Sequence, residues 1–325
     1  MDLGLVPVYR WATVWSRAAL FAISIFVVIL KLLQVDINLT LQVGIAIFAL
    51  LVGVPHGAVD HLISIQPHPR SRFYFFIFIY SAIAITAGWA IAQWNVVGFQ
   101  IVVVMSALHF GFGDASFISE SRMAKGEKRE PLFTEIVYAI AAGFAPLILP
   151  LTDHRTTGAL NKINPQLDHW AGSHIHLLRS TTLIVIGGAG ILFLIVKKFE
   201  LLIDLLLIAT ISFFTPPLIA FAAYFGLWHA VRHTARLVPK LPTSLQLAHS
   251  GAWKQATWRA VWPGLYAVVG TFGITLLLTV LPGKHFSTGL LWPMLVIIWA
   301  LTVPHMLVTA RFDLTDLKPA PHNHK

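Results

Sequence analysis

LLIDLLLIATISFFTPPLIAFAAYFGLWHAVRH, residues 201–233, carries a single charge, Asp204, over its apolar part from Leu201 to Leu227. It is cut by Thr215-Pro216-Pro217 and closes on two histidines four apart, His229 and His233. A run of about 20 apolar residues spans the roughly 30 Å hydrocarbon core of a bilayer as a helix. The prolyl pair removes backbone donors and breaks such a helix, so the stretch reads either as one interrupted span or as two short ones. Residues at i and i+4 share a helix face with side chains about 5 to 6 Å apart, a spacing at which two imidazoles can hold one metal ion. Ionisable groups at membrane depth are costly and mark function by default.

The pattern around this stretch is the same from end to end. Of 325 residues, 57% are apolar and only 11% charged, against about 25% charged in ordinary soluble domains. Further apolar segments fall near 15–33, 38–55, 73–93, 98–117, 133–151, 180–197, 261–281 and 288–310. The expected fold is an all-α polytopic transmembrane bundle of eight to ten membrane segments, with a broken helix near Pro216-Pro217. It forms a single integral membrane domain over 1–325 with a polar tail from about 312. No small-residue cleavage site follows the first apolar run, so that run is expected to be retained. The 231–260 stretch has room for an amphipathic surface helix carrying Trp253 and Trp258 near the headgroups.

The formal net charge of +9 raises nucleic acid as a partner, but the basic residues sit in short loops and read as topology signals. If 201–230 crosses twice, 18 of the 23 lysines and arginines collect on one side, whereas a single crossing divides them 11 to 12. The expectation is therefore ten segments in the inner (cell) membrane, with both termini cytoplasmic. A re-entrant pair around 215–217 has the same parity, because broken helices are tolerated where protein buries them.

With no cysteine in the chain, any metal must sit on nitrogen or oxygen. Fifteen histidines against fourteen carboxylates tilt the donors toward a transition ion rather than Mg or Ca. Four motifs stand out: Pro55-His56-Gly57-Ala58-Val59-Asp60-His61, His109-Phe110-Gly111-Phe112-Gly113-Asp114, Trp228-His229-Ala230-Val231-Arg232-His233 and Pro304-His305-Met306. The charge-based topology puts each at the cytoplasmic end of its segment, at one depth, as a bundle-interior metal site requires. A lone histidine at a helix end is more often an interfacial or hydrogen-bonded residue; four at one depth favour a site. His56 and His61 lie about 140° apart round a helix and face one ion together only if the helix breaks, which Gly57 allows. Asp60 is placed to orient His56, and Asp114 to orient His109, since ligating imidazoles usually donate their other N–H to a carboxylate or carbonyl. Helix-end capping is the competing reading of both acids. Phe110, Phe112, Tyr224 and Trp228 are candidates to line an apolar channel, although aromatics at helical spacing are more often packing. His154, His169, His174 and His176 read as solvated loop residues, and His322 and His324 as part of the tail.

Pro-His-Gly-x-x-Asp-His near the second span, His-Phe-Gly-x-x-Asp near the fourth and Trp-His-x-x-Arg-His further on resemble the Brp/Blh family of membrane β-carotene 15,15′-dioxygenases over about residues 50 to 310. The resemblance implies cleavage of β-carotene by O₂ into two retinal molecules at a non-haem Fe2+, in a chain whose functional link is to a retinal-binding rhodopsin. Carried over by position, the iron-binding histidines are His56, His109, His229 and His233; beside them the residues themselves offer Asp60 and Asp114 as orienting groups and His61 and His305 as reserve ligands. Iron held by neutral imidazoles keeps its full charge and can leave a position open for O₂, and a pocket within the bilayer suits an apolar carotenoid surrounded by lipid. Two other readings differ from this one. A histidine-box hydroxylase or desaturase needs HxxHH boxes, and the chain has none. A metal or lipid carrier would use the broken helix as its site, but no inverted repeat accompanies it. An intramembrane serine protease is further off, since no G-x-S-x-G occurs.

Overall fold

Hydropathy and helix length coincide along most of the chain. The computed structural model describes residues 1–65, 70–280 and 291–316, and every regular element among them is helical. Among the described residues seven stretches are long and apolar enough to cross a membrane. They comprise α1 (Val6–Leu32), α2 (Leu39–Gly57) continued by the short α3 (Asp60–Ser64), α4 (Arg70–Gln93), α5 (Asn95–Ala124), α6 (Leu132–Leu151), α8 (Ile175–Ile195) with the turn before it, and α15 (Leu291–Asp316). α7 (His154–Ile163) lies between α6 and α8. Shorter apolar helices fall on the remaining hydropathy segments: α9 (Phe199–Phe214), the broken return arm from Pro217, and α14 (Leu265–Val280). α1, α4 and α8 turn large apolar side chains outward, among them Phe21, Phe78 and Ile184, as a lipid-facing surface requires. The tail beyond 316, with His322 and His324, and the connection 281–290 lie outside the described residues.

The prolines break the chain where the sequence places the break. Thr215 is extended at φ −86°, ψ 150°, the conformation forced on a residue before proline, and Pro217 opens α10 (Pro217–Ala222). A π-helical turn, Ala223–His229, follows and leads into α11 (Ala230–Leu237). Asp204, early in α9, meets Arg232 of α11 at 2.9 Å, so the chain doubles back at 215–217. α12 (Pro242–His249) and α13 (Trp253–Val261) occupy the stretch expected to hold a surface helix. Trp258 is exposed there, whereas Trp253 packs on Trp11.

Two helix ends correct the hydropathy reading. α1 starts at Val6 rather than near 15, and α5 runs on through Asp114 to Ala124 rather than stopping near 117. Buried partners absorb the charges that hydropathy counts against a span. Arg17 reaches Asp204 at 2.5 Å. Glu120 takes Arg236 at 3.0 Å and the Tyr9 hydroxyl at 3.1 Å. His109 thus sits mid-helix in α5 and His305 mid-helix in α15, not at helix ends as expected; His56 stands at the end of α2.

Close approach between helices fixes the site's walls. Without a hydrophobic difference between helix and lipid, small residues carry helix association. A Cβ on Gly111 would fall 1.8 Å from the Ala139 carbonyl oxygen, and one on Gly143 would fall 2.0 Å from that of Ala107. These notches seat α5 on α6.

Candidate metal centre

The histidines of α2, α5, α11 and α15 converge in the bundle interior. His56 follows Pro55 at the end of α2, and the helix breaks after Gly57. Phe225 of the π-turn packs into the space left by Gly53, whose Cβ would meet that ring at 1.9 Å. This contact draws α2 onto the return arm. His229 ends the π-turn and His233 lies one α-turn on, with ring centres 5.7 Å apart, so the i, i+4 pair shares a face.

Four rings form a closed cycle. Ring centres are 5.2 Å apart for His56–His229, 5.0 Å for His229–His109, 5.1 Å for His109–His305 and 5.5 Å for His305–His56. The diagonal pairs, His56–His109 and His229–His305, are not in ring contact. His233 stands 4.9 to 6.1 Å from all four. All five histidines are buried. Buried ring nitrogens lack a hydrogen-bond partner at His56 Nδ1, His229 Nε2, His305 Nε2 and both nitrogens of His233. Buried polar atoms are nearly always paired, so this concentration of free nitrogen donors is a property of the site. Among the described residues no group of three or more His, Asp or Glu side chains is arranged to hold a metal ion; the five rings are gathered at centre distances of 4.9 to 6.1 Å. An all-nitrogen set of neutral imidazoles fits a divalent first-row metal, iron included.

Hydrogen bonds fix two of the rings. Asp60 faces His305 Nδ1 with both oxygens at 3.0 Å and also accepts from the Tyr80 hydroxyl at 3.1 Å. The Thr309 hydroxyl, one turn beyond His305, stands 3.1 Å from the His305 carbonyl and 3.2 Å from His109 Nδ1. With its proton on the carbonyl, its oxygen accepts from His109 Nδ1 and leaves the lone pair on Nε2, as the Asp60 carboxylate does for His305.

These contacts correct several sequence assignments. Asp60 orients His305 rather than His56, because the break after Gly57 turns it toward α15. Asp114 does not serve His109; its carboxylate accepts from Trp228 Nε1 at 2.5 Å and from the Tyr224 hydroxyl at 3.5 Å. Continuous helix through Gly111 and Gly113 carries Asp114 away from His109 and onto the return arm. His61 stands apart from the cycle, with its ring against Phe73. His154, His169 and His174 are exposed between α6 and α8, and His176 is exposed in the first turn of α8.

A cavity of about 380 Å³ opens against the cycle. His56, His109, His229 and His305 line it, and His233 does not. From His109 the lining runs along α5 to Phe99, ten residues or about 15 Å of helix, between apolar side chains of α2, α6, α10 and α15. Of the four aromatics expected to line a channel, only Phe110 does, packed on His229 at 4.5 Å. Tyr224 and Trp228 are fully buried around Asp114, and Phe112 packs against the core. Phe221, Phe225 and Tyr80 line the cavity instead. The π-turn that redirects these aromatics has no period in the sequence by which to find it, and Tyr80, with Phe76 beside it on the cavity, lies in a helix most of whose other aromatics face outward.

A family model described as Beta-carotene 15,15'-dioxygenase matches residues 47–313, which holds all five histidines of the cluster. No curated protein and no solved structure matches the chain.

Proposed function

This chain belongs to the β-carotene 15,15′-dioxygenase family, and on that premise we propose that it is an iron-dependent enzyme of the inner membrane, both termini cytoplasmic, that cleaves the central double bond of β-carotene with O₂ to give two molecules of all-trans-retinal. The observation that carries this reading is the apolar cavity ending on a wall of buried histidines. In the reaction one C=C bond and the O–O bond break and two C=O bonds form. The atoms balance without an added reductant or proton, so no general base is required among the residues around the cavity.

His56, His109, His229 and His233 would hold the metal, with Thr309 keeping His109 in the tautomer that presents Nε2. Bound ferrous iron supplies the activation of O₂. The chain's part is to bind and orient. Phe110, Phe221 and Phe225 give a long hydrocarbon flat faces to lie on beside the histidines. The lipid-facing exterior lets such a substrate arrive without entering water, and the apolar lining keeps water from the reacting double bond. A retinal-binding rhodopsin is the partner class that would consume the product.

The test is expression in a β-carotene-accumulating bacterium with retinal and residual carotenoid measured by chromatography. Retinal with bleaching, lost in His229→Ala at equal membrane expression, is expected. Unchanged β-carotene beside an iron-loaded, membrane-inserted protein would overturn the reading, and two irons per chain would move it to a histidine-box hydroxylase.

A further inference from the structure

The geometry points to His305 as a fifth imidazole ligand of the proposed iron, positioned by an Asp60–Tyr80 pair, with His233 on the side away from the cavity and the remaining coordination space facing it. This deepens the metal site proposed above and rests on it.

Ring spacing is the first observation. An imidazole nitrogen about 2.0–2.1 Å from a first-row ion puts neighbouring ring centres about 4.5–5.4 Å apart when the bonds diverge by about 90–115°. Of the two contacts of His305 within the cycle, 5.1 Å to His109 lies in this range and 5.5 Å to His56 just beyond it, close to those of His229 at 5.0 and 5.2 Å. His305 therefore has the same relation to its neighbours as a histidine already assigned to the metal. Removing it opens the cycle on one side.

The hydrogen bonds of His305 are the second. One face of its ring is committed to the Asp60 carboxylate at 3.0 Å, while Nε2 is buried and unpartnered. A carboxylate on one imidazole nitrogen with the other left free is the arrangement of metal-bound histidines, where the acid fixes the tautomer and raises the ligand's basicity. Tyr80 donates to the same carboxylate and holds its orientation. Among the five histidines only His305 has an acid on its ring, so it is the strongest donor of the set.

Exposure to the cavity is the third. The four rings of the cycle line the cavity and His233 does not. An ion drawn into the cycle would have His233 behind it and the cavity in front, so substrate and O₂ would approach from one side only.

The test uses purified full-length protein reconstituted anaerobically with ferrous iron, with iron stoichiometry, iron affinity and the number of coordinated imidazoles read by X-ray absorption. Five imidazoles are expected in the wild type and four in His305→Ala. His305→Gln keeps the volume and serves if the alanine variant fails to accumulate; it too should lose one imidazole. Asp60→Asn should keep all five but bind iron roughly 10- to 100-fold more weakly, with Tyr80→Phe intermediate. A purely structural His305 would leave the imidazole count unchanged. Iron held by four imidazoles in both wild type and His305 variants, at unchanged affinity, overturns this assignment and leaves the four-histidine site standing. A wild type that takes up no iron removes both.

Discussion

Asp204→Ala tests whether the return arm that carries His229 and His233 is pinned by charge. Asp204 and Arg232 are each 1% exposed and meet at 2.9 Å. At that distance two unit charges attract by about 5–6 kcal/mol for an effective dielectric constant of about 20. Removing the acid leaves the guanidinium buried and uncompensated, for which broken buried pairs give a loss of about 3–5 kcal/mol. The stacking of Arg232 on Trp228, 3.5 Å to the ring centre, and its contact with Ser16 at 3.1 Å persist in the variant and cancel. Arg17, a quarter exposed, turns to solvent and adds little. A destabilisation of about 3–5 kcal/mol is therefore expected, measured by reversible unfolding in mixed micelles followed by tryptophan fluorescence. Replacing both partners, Asp204→Leu with Arg232→Met, should recover most of it, since an apolar pair of similar volume does not bury a charge. A single-variant loss below about 1 kcal/mol, or a double variant less stable than the single, would refute the reasoning.

The helix seam and the cavity give two further expectations. Gly143→Ala puts a methyl group 2.0 Å from the Ala107 carbonyl oxygen, so α5 and α6 must separate. It should cost about 1–3 kcal/mol by the same unfolding assay, and normal stability would show that the seam yields. Val102→Trp fills the cavity along α5 without touching a histidine of the cluster; turnover of the carotenoid should fall at least tenfold while iron content, by elemental analysis, stays at the wild-type level. Loss of iron together with activity would mean that the cavity wall and the metal site are one packing unit.

Legibility from sequence followed the range of the interactions involved. The break at Pro216-Pro217 was readable because proline acts on its own backbone and on the residue before it. The His229/His233 face was readable because an i, i+4 relation is local. Loop charges place His56 at the end of its helix, but they do not place His109, which the structure sets in the middle of α5. The ends of α1 and α5 were not readable, because Arg17, Asp114 and Glu120 stop a hydropathy window whether or not a partner waits on another helix. The partners of Asp60 and Asp114 are not legible for the same reason: each acid has a histidine nearby in sequence but finds its partner on another segment.

Composition and apolar periodicity thus determined by themselves an all-helical membrane bundle, its prolyl break and a thiolate-free, histidine-rich set of candidate ligands, since each depends on composition or on residues within a few turns of one another. Only the tertiary structure decided that His305 closes the ring cycle while His61 stays outside, that Tyr80 and Thr309 hold the rings, and that Phe221 and Phe225 rather than Tyr224 and Trp228 face the cavity. Those outcomes depend on how α15 meets α2 and α5 and on one π-turn that shifts the helix face, and neither is encoded in a local spacing.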